Sequence, residues 1–168
     1  MWLIVANIIR IIAAVFDIMA ASTTETKKIY LYNGIYNFLL GVQYYILNAI
    51  SGAISSFVAI LRNIIFHRHR KYSIYALIPY LIFVVVINIP AYEGIISTLP
   101  IIMVFMYTIA IYRAKIMEIK YVSVFTCALE IIYDIYYHAY IGALVCVIYI
   151  VVVIISIIRL KRRQLKTN

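Results

Sequence analysis

The sequence has too few charged residues to surround a soluble domain. Only 12% of its 168 residues are Asp, Glu, Lys or Arg, whereas 67% are hydrophobic and the mean hydropathy is +1.03. Soluble globular domains carry about 25% charged residues, which keep their outer surface in water. Only five glycines and three prolines are available to interrupt the apolar runs. This composition excludes an ordinary soluble domain and predicts a membrane protein.

Sequence motifs that carry chemistry are also missing. The chain shows no Ser–His–Asp arrangement, no phosphate-binding glycine loop and no plausible set of metal ligands. Its two cysteines, Cys127 and Cys146, fall inside apolar runs at different predicted depths, so we interpret them as buried thiols outside any disulfide or metal site. We therefore expect no enzyme activity and no cofactor.

The sequence does contain apolar segments long enough to cross a bilayer as helices. A hydrocarbon core of about 30 Å is crossed by roughly 20 helical residues. Strands of a membrane barrel would alternate apolar and polar residues, whereas these segments are apolar on all sides. Breaks in the pattern predict an all-α membrane protein with seven transmembrane helices, at 2–20, 29–47, 49–66, 73–89, 95–112, 121–137 and 139–158.

The basic residues predict how these helices are oriented. If successive helices alternate in direction, every Lys and Arg except Arg10 falls on one side, and the other side carries only Glu93 and His138. Cytoplasmic loops are enriched in Lys and Arg. The N-terminus is therefore predicted outside and the basic C-terminal tail in the cytoplasm. Topology also accounts for the net charge of +9, so we expect no nucleic-acid partner.

The chain resembles itself at an offset of 90 residues. Gly52 falls on Gly142 and Asn48 falls on His138, in each case at a very tight turn between two predicted helices. Chance similarity between apolar segments is the alternative explanation. The turn positions and the basic helix ends agree between the two halves, which favours a true repeat.

A repeat of this kind predicts two three-helix bundles joined by a single helix, a 3+1+3 arrangement. The first bundle spans residues 1–66, the linker helix with its loops spans 67–94, and the second bundle with the basic tail spans 95–168. Because the linker adds one crossing, the two bundles have the same orientation in the membrane.

Polar residues within the apolar helices are the candidates for a binding site. A charge at the bilayer centre costs at least about 2.5–3.5 kcal/mol, so each one needs a partner or a water-filled cavity. Arg10 in the first helix and Glu130 in the sixth fall at nearly the same depth. We expect them to meet between the bundles, at the floor of a central pocket. The candidate substrate-binding residues are Arg10, Tyr36, Asn37, Glu130, Tyr133, Asp134 and His138.

The expected roles of these residues differ. Asn37 would lie beside the ion pair, whereas Asp134 and His138 share a helical face with Glu130 and would line the outer mouth of the pocket. The two tyrosines lie deep enough to stack on a ligand, with core packing as the alternative. For the ion pair itself the alternative is a purely structural contact that locks the bundles together.

Two further charges lie nearer the predicted cytoplasmic side. Asp17 is two turns beyond Arg10 on the same helical face. Arg62 is about one turn from the end of the third helix, and we favour the interpretation that it extends to lipid headgroups. The same helix carries small residues that we expect to permit close helix packing, namely Gly52, Ser55, Ser56 and Ala59.

Several short runs resemble the YgjV-type family of bacterial inner-membrane proteins. They are Tyr36 to Gly41, the turn from Asn48 to Ala53, Arg62-Asn63, Tyr133-Asp134, the turn into Gly142, and Ile158-Arg159. The resemblance implies a location in the bacterial inner membrane. It also implies a distant similarity to the SWEET, SemiSWEET and PnuC transporters, which are built from two three-helix bundles. The sugar transporters carry prolines in the first two helices of each bundle. Here the corresponding helices one, two and six have none, and only the fifth helix has one, Pro100.

The distant similarity to these transporters implies a transport role. We expect a transporter or facilitator for a small polar metabolite, working by alternating access around a pocket at the membrane midplane. The alternative is a non-transporting membrane protein that assembles with or binds a partner. The expected partners are the lipid bilayer and a small polar solute, and the expected state is a monomer or homodimer.

Overall fold

The computed structural model describes residues 2–68, 73–113 and 115–167. Within these residues the chain is helical, with no strand. The helices are α1 (Trp2–Ser22), α2 (Thr26–Ile46), α3 (Ile50–Arg68), α4 (Ser73–Asn88), α5 (Thr98–Arg113), α6 (Ile116–Tyr136) and α7 (Tyr140–Thr167), and two short 3-10 turns at Ile89–Ala91 and Ile95–Ser97 connect α4 to α5. The predicted all-α class and the predicted set of seven helices are confirmed. Part of the predicted basic loop at 67–71 lies outside the described residues.

Two helices are longer than the apolar pattern predicts. Helix α6 begins at Ile116 instead of 121, and α7 continues from 158 to Thr167. The added segments, 116–120 and 159–167, both contain charged residues and neither contains a glycine or proline. Lys, Arg, Gln and Leu are good helix formers, so the backbone stays helical after the apolar run has ended. The predicted basic tail is thus the last part of α7.

Among the described residues, three helices are long and apolar enough to cross a membrane, namely Trp2–Ser22, Ile95–Arg113 and Tyr140–Arg162. Two shorter apolar helices are present at Ile50–Ile65 and Leu77–Ala91. Helices α2 and α6 fall outside both groups because their apolar residues are interspersed with polar ones, among them Asn33, Gln43, Glu130 and Asp134, all of which are buried. The number of seven membrane crossings therefore stays a prediction.

Six of the helices pack as a closed ring. Going round the ring, α1 packs on α2, α2 on α3, α3 on α5, α5 on α6, α6 on α7, and α7 on α1. Helix α4 lies outside the ring against α3 and α5. The outer faces expose large apolar side chains such as Ile8, Leu61 and Phe125. Exposed apolar residues on this scale suit a surface in contact with lipid.

Both halves of the ring repeat the same local structure at an offset of 90 residues. Helices α2 and α6 begin and end at equivalent positions, and α3 and α7 begin at equivalent positions. Asn48 and His138 both have a positive φ, 58° and 57°. The backbone N–H of Ala49 donates to Tyr44, and the N–H of Ala139 donates in the same way to Asp134. The predicted correspondence of the two turns is therefore seen in their backbone geometry.

Candidate functional site

An ion pair between α1 and α6 lies inside the ring. The Arg10 guanidinium donates from Nη2 to Glu130 Oε1 at 2.7 Å, and Arg10 is fully buried. The Tyr36 hydroxyl of α2 donates to the same carboxylate oxygen at 2.8 Å and accepts from Arg10 Nη1 at 3.2 Å. The predicted contact between Arg10 and Glu130 is thus confirmed, and a tyrosine joins it.

Arg10 also contacts α7, the other neighbour of α1 in the ring. Its Nη2 lies 3.1 Å from Cys146 Sγ and 3.5 Å from the carbonyl oxygen of Gly142, both on α7. The Asp134 carboxylate is 3.5 Å from the same nitrogen, and it accepts a hydrogen bond from Tyr44 at 2.8 Å. One guanidinium therefore holds groups from α2, α6 and α7 together at the end of the ring that contains the two tight turns.

Next to this ion pair lies a cavity of about 100 Å³. Its wall is formed by side chains from all six ring helices and from none of α4. Most of the polar ones are Asp17, Asn33, Tyr36, Asn37, Ser55, Ser56, Arg62, Tyr107, Ser123, Thr126, Cys127 and Glu130. On α3 the lining runs from Gly52 to Arg62, which corresponds to about 15 Å of helix. The ring thus surrounds a narrow cavity with polar side chains from all six of its helices in the wall.

Of the predicted site residues, three line this cavity. Glu130, Tyr36 and Asn37 face it. The Asn37 amide donates to the backbone oxygen of Asn33 one turn earlier, and Asn33 in turn donates to the Tyr107 hydroxyl at 2.9 Å. The predicted grouping of Glu130 with Asn37 around one pocket is therefore present in the geometry.

The other four predicted residues lie elsewhere. Arg10 lies behind Glu130 and does not line the cavity. Asp134 is fully buried beside Arg10, so the sequence analysis was wrong to place it at an aqueous mouth. Tyr133 is fully buried, with its hydroxyl 2.9 Å from both Ser51 Oγ and the Gly52 nitrogen, which corresponds to the core-packing alternative. His138 is exposed in the turn, 3.0 Å from the Tyr140 hydroxyl, because its positive φ ends α6.

Comparison with protein-family models shows which family the chain belongs to. The Imp-YgjV family, described as a bacterial inner membrane protein, matches residues 4–164. The chain belongs to the Imp-YgjV family. Its location in the bacterial inner membrane agrees with the exposed apolar faces of the ring. The match covers all the residues that line the cavity. No curated protein and no solved structure matches the chain.

In this Imp-YgjV member, the cavity is also lined by two charged residues that were not predicted to belong to the site. Asp17 was given no role, and Arg62 was predicted to extend to lipid headgroups. The latter prediction is wrong, because Arg62 is only 3% exposed and its guanidinium carbon lies 4.8 Å from the centre of the Tyr107 ring. A usable signal was present in the sequence, since Arg62 lies seven residues after Ser55, on the same small-residue face of the helix.

That face, with Ser55, Ser56 and Ala59, lines the cavity, so only part of its predicted packing role holds. Gly52 does pack closely. A Cβ at this position would come within 2.8 Å of Tyr133 and 2.9 Å of Tyr44. The absence of a side chain at Gly52 thus lets two tyrosine rings pack against α3, whereas Ser55, Ser56 and Ala59 face the cavity.

The two cysteines are closer together than predicted. The thiols of Cys127 and Cys146 and the Glu130 carboxylate each offer one ligand atom, and these atoms lie within 4.8 Å of one another. The prediction of different depths is therefore wrong, although both residues are buried free thiols as expected. By distance alone the three groups could hold a metal ion. Arg10 Nη2 already contacts Glu130 and Cys146, however, and its positive charge opposes a cation there.

Proposed function

We propose that this protein is a transporter or facilitator for a small polar solute. The observation that carries the proposal is a cavity, lined by polar and charged side chains of six helices, in an inner-membrane protein. Polar and ionisable groups are costly within a bilayer and mark solute pathways when they surround a shared space. Substrate sites of secondary transporters lie at the interface between structural repeats, and the cavity would lie at such an interface in the arrangement proposed below.

The proposed architecture is the 3+1+3 arrangement, with α1–α3 and α5–α7 as the two bundles and α4 as the linker. Contacts between the halves support it, because α1 packs on α7 and α3 packs on α5, which are equivalent contacts at an offset of 90 residues. The matching turns at Asn48 and His138 support it further. Alternating access would arise from one bundle rocking against the other around the cavity.

The proposed orientation places the N-terminus outside and the C-terminal end of α7 in the cytoplasm. In this orientation both α1 and α3 run inward, so Asp17 and Arg62 lie in the cytoplasmic half of the cavity wall and Gly52 in the outer half. The concentration of Lys and Arg near the inner helix ends supports this assignment. A single chain supplies the whole wall, so transport by this mechanism needs no second copy, no cofactor and no chemical step.

A second candidate is a non-transporting membrane protein that assembles with a partner. The observation that favours it is the position of Arg10, which is fully buried behind the cavity wall and bonded to three other helices. This geometry suits a structural ion pair. In our proposal Arg10 accordingly positions Glu130 and does not itself touch the solute.

Flux through reconstituted protein tests the proposal. Purified protein in liposomes is exposed to osmotic gradients of small neutral, cationic, anionic and zwitterionic solutes, and re-swelling is followed by light scattering. We expect at least one solute to enter faster than in protein-free liposomes. Ala59→Leu, which fills the cavity, should slow that entry, whereas Leu61→Phe on the exposed face of the same helix should not. Equal rates with and without protein for every solute class would favour the second candidate.

A further inference from the structure

We propose that the cavity recognises a small zwitterion, with Asp17 binding its cationic group and Arg62 binding its anionic group. This inference rests on the proposed transport function and names the class of solute. It is carried by two buried side chains of opposite charge that line one cavity and form no ion pair with any described residue.

Asp17 is a buried carboxylate with no partner in the described part of the chain. Its exposed fraction is 6%, and it lines the cavity from α1. None of the described residues forms a hydrogen bond or ion pair with its side chain. Glu130, the other acid in the wall, differs because Arg10 and Tyr36 both donate to it. Asp17 is therefore the acid in this wall that is left to meet a cation from the solute.

Arg62 is its basic counterpart on α3. The side chain is 3% exposed, its Nε donates to Asn63 Oδ1 at 3.2 Å, and its guanidinium lies over the Tyr107 ring. No acidic residue among those described forms an ion pair with it. Because no described carboxylate pairs with it, the guanidinium can form the paired hydrogen bonds that this group makes with a carboxylate or phosphate.

Burying either charge alone is costly, and the two do not pair with each other in this conformation. A solute with a single positive charge would satisfy Asp17 but leave Arg62 unpaired, and an anion would do the reverse. A metal cation would meet the carboxylate but be opposed by the guanidinium in the same cavity. A molecule with both charges satisfies both residues, because each buried ion then gains a partner.

The remaining lining limits the size and polarity of this molecule. The cavity of about 100 Å³ has room for only a small molecule, so the solute has few heavy atoms. Neutral donors and acceptors in the same wall, including Asn33, Asn37, Ser55 and Ser123, can hydrogen-bond to it. Short straight-chain amino acids are of this class, and the number of methylene groups in each sets both its length and the separation of its charges.

Uptake by the full-length protein in liposomes tests the inference. The probes are radiolabelled glycine, β-alanine and 4-aminobutyrate, with methylammonium and acetate as singly charged controls and glycerol as the neutral control. We expect one zwitterion to be taken up fastest. Uptake should fall by about tenfold or more in both Asp17→Asn and Arg62→Gln, because each variant loses one charged hydrogen bond. Arg113→Gln, at an exposed site on α5, should behave like the wild type.

The possible results separate this inference from the proposed function. If glycerol or a singly charged solute enters and no zwitterion does, the inference fails while transport stands. If no probe enters, both fail. Loss of zwitterion uptake in only one of the two variants would contradict recognition at two points. Should either variant fail to give monodisperse protein, Asp17→Glu and Arg62→Lys keep both charges, and retained uptake with a changed preference for chain length is then the expected result.

Discussion

At the scale of single residues, the ion pair between Arg10 and Glu130 links α1 to α6 beside the cavity. Their contact was predictable because two opposite charges fell at the same depth of two apolar helices, where neither could remain alone. The burial of Arg62 was not predictable, because an arginine near a helix end can reach lipid headgroups through its long side chain. Only the packing of α3 against α5 shows that it points inward.

The ion pair gives a prediction for stability. Replacing Arg10 by Met or Glu130 by Gln leaves a buried charge or its partners unmatched, so each single variant should lower the free energy of unfolding by about 3–5 kcal/mol. The double variant should cost less than the sum of the two, since it removes both charges of the pair. Denaturant unfolding in detergent micelles measures all three. Strict additivity would mean that the two side chains do not interact.

Two glycines give a matched pair of predictions. A Cβ at Gly142 would collide with the Asp134 carboxylate, so Gly142→Ala should lower the unfolding free energy by about 1–3 kcal/mol through overpacking. Gly34, within α2, has no atom within 4 Å of such a Cβ. Gly34→Ala should therefore be neutral or stabilise by up to about 1 kcal/mol, because alanine favours the helix. An equal loss in both variants would contradict the close contact at Gly142.

At the scale of helices and turns, the sequence predicts much of the structure. Apolar runs interrupted by short polar segments located every helix, and the offset of 90 residues located two equivalent turns. The start of α6 and the end of α7 were missed because residues outside the apolar run also favour a helix. The proximity of the two cysteines was also missed. Cys127 lies three residues further from the turn at His138 than Cys146 does, which is only about 4.5 Å along a helix and within reach of facing side chains.

The turn at Asn48 can be tested directly. Its φ of 58° lies in the left-handed region, which asparagine and glycine adopt more readily than other residues. Asn48→Ala should lower the unfolding free energy by about 1 kcal/mol, whereas Asn48→Gly should cost less. At the equivalent position, His138→Asn should be stabilising. Thermal unfolding of the purified variants measures these differences, and no difference between the alanine and glycine variants would count against the turn geometry.

At the scale of the whole molecule, the order of the helices around the ring was beyond sequence reasoning. Contacts such as α1 with α7 join segments more than one hundred residues apart, and apolar faces alone do not select their neighbours. The ring order explains why polar residues from six separate helices meet in one place. Glu130 and His138, which the sequence predicts on one helical face, are separated because α6 ends at Tyr136 and His138 lies in the turn that follows.

The most direct test of the central claim is whether water reaches the cavity. Cys127 lines it, whereas Cys146 lies behind the wall and is 1% exposed. A small, charged methanethiosulfonate reagent is added to the protein in membranes, with Cys127→Ser and Cys146→Ser as single-thiol variants, and the labelled fraction is determined by mass spectrometry. We predict labelling of Cys127 in the Cys146→Ser protein and far slower labelling of Cys146 in the Cys127→Ser protein. An unreactive Cys127, or equal labelling of the two thiols, would contradict an aqueous cavity at the centre of the ring.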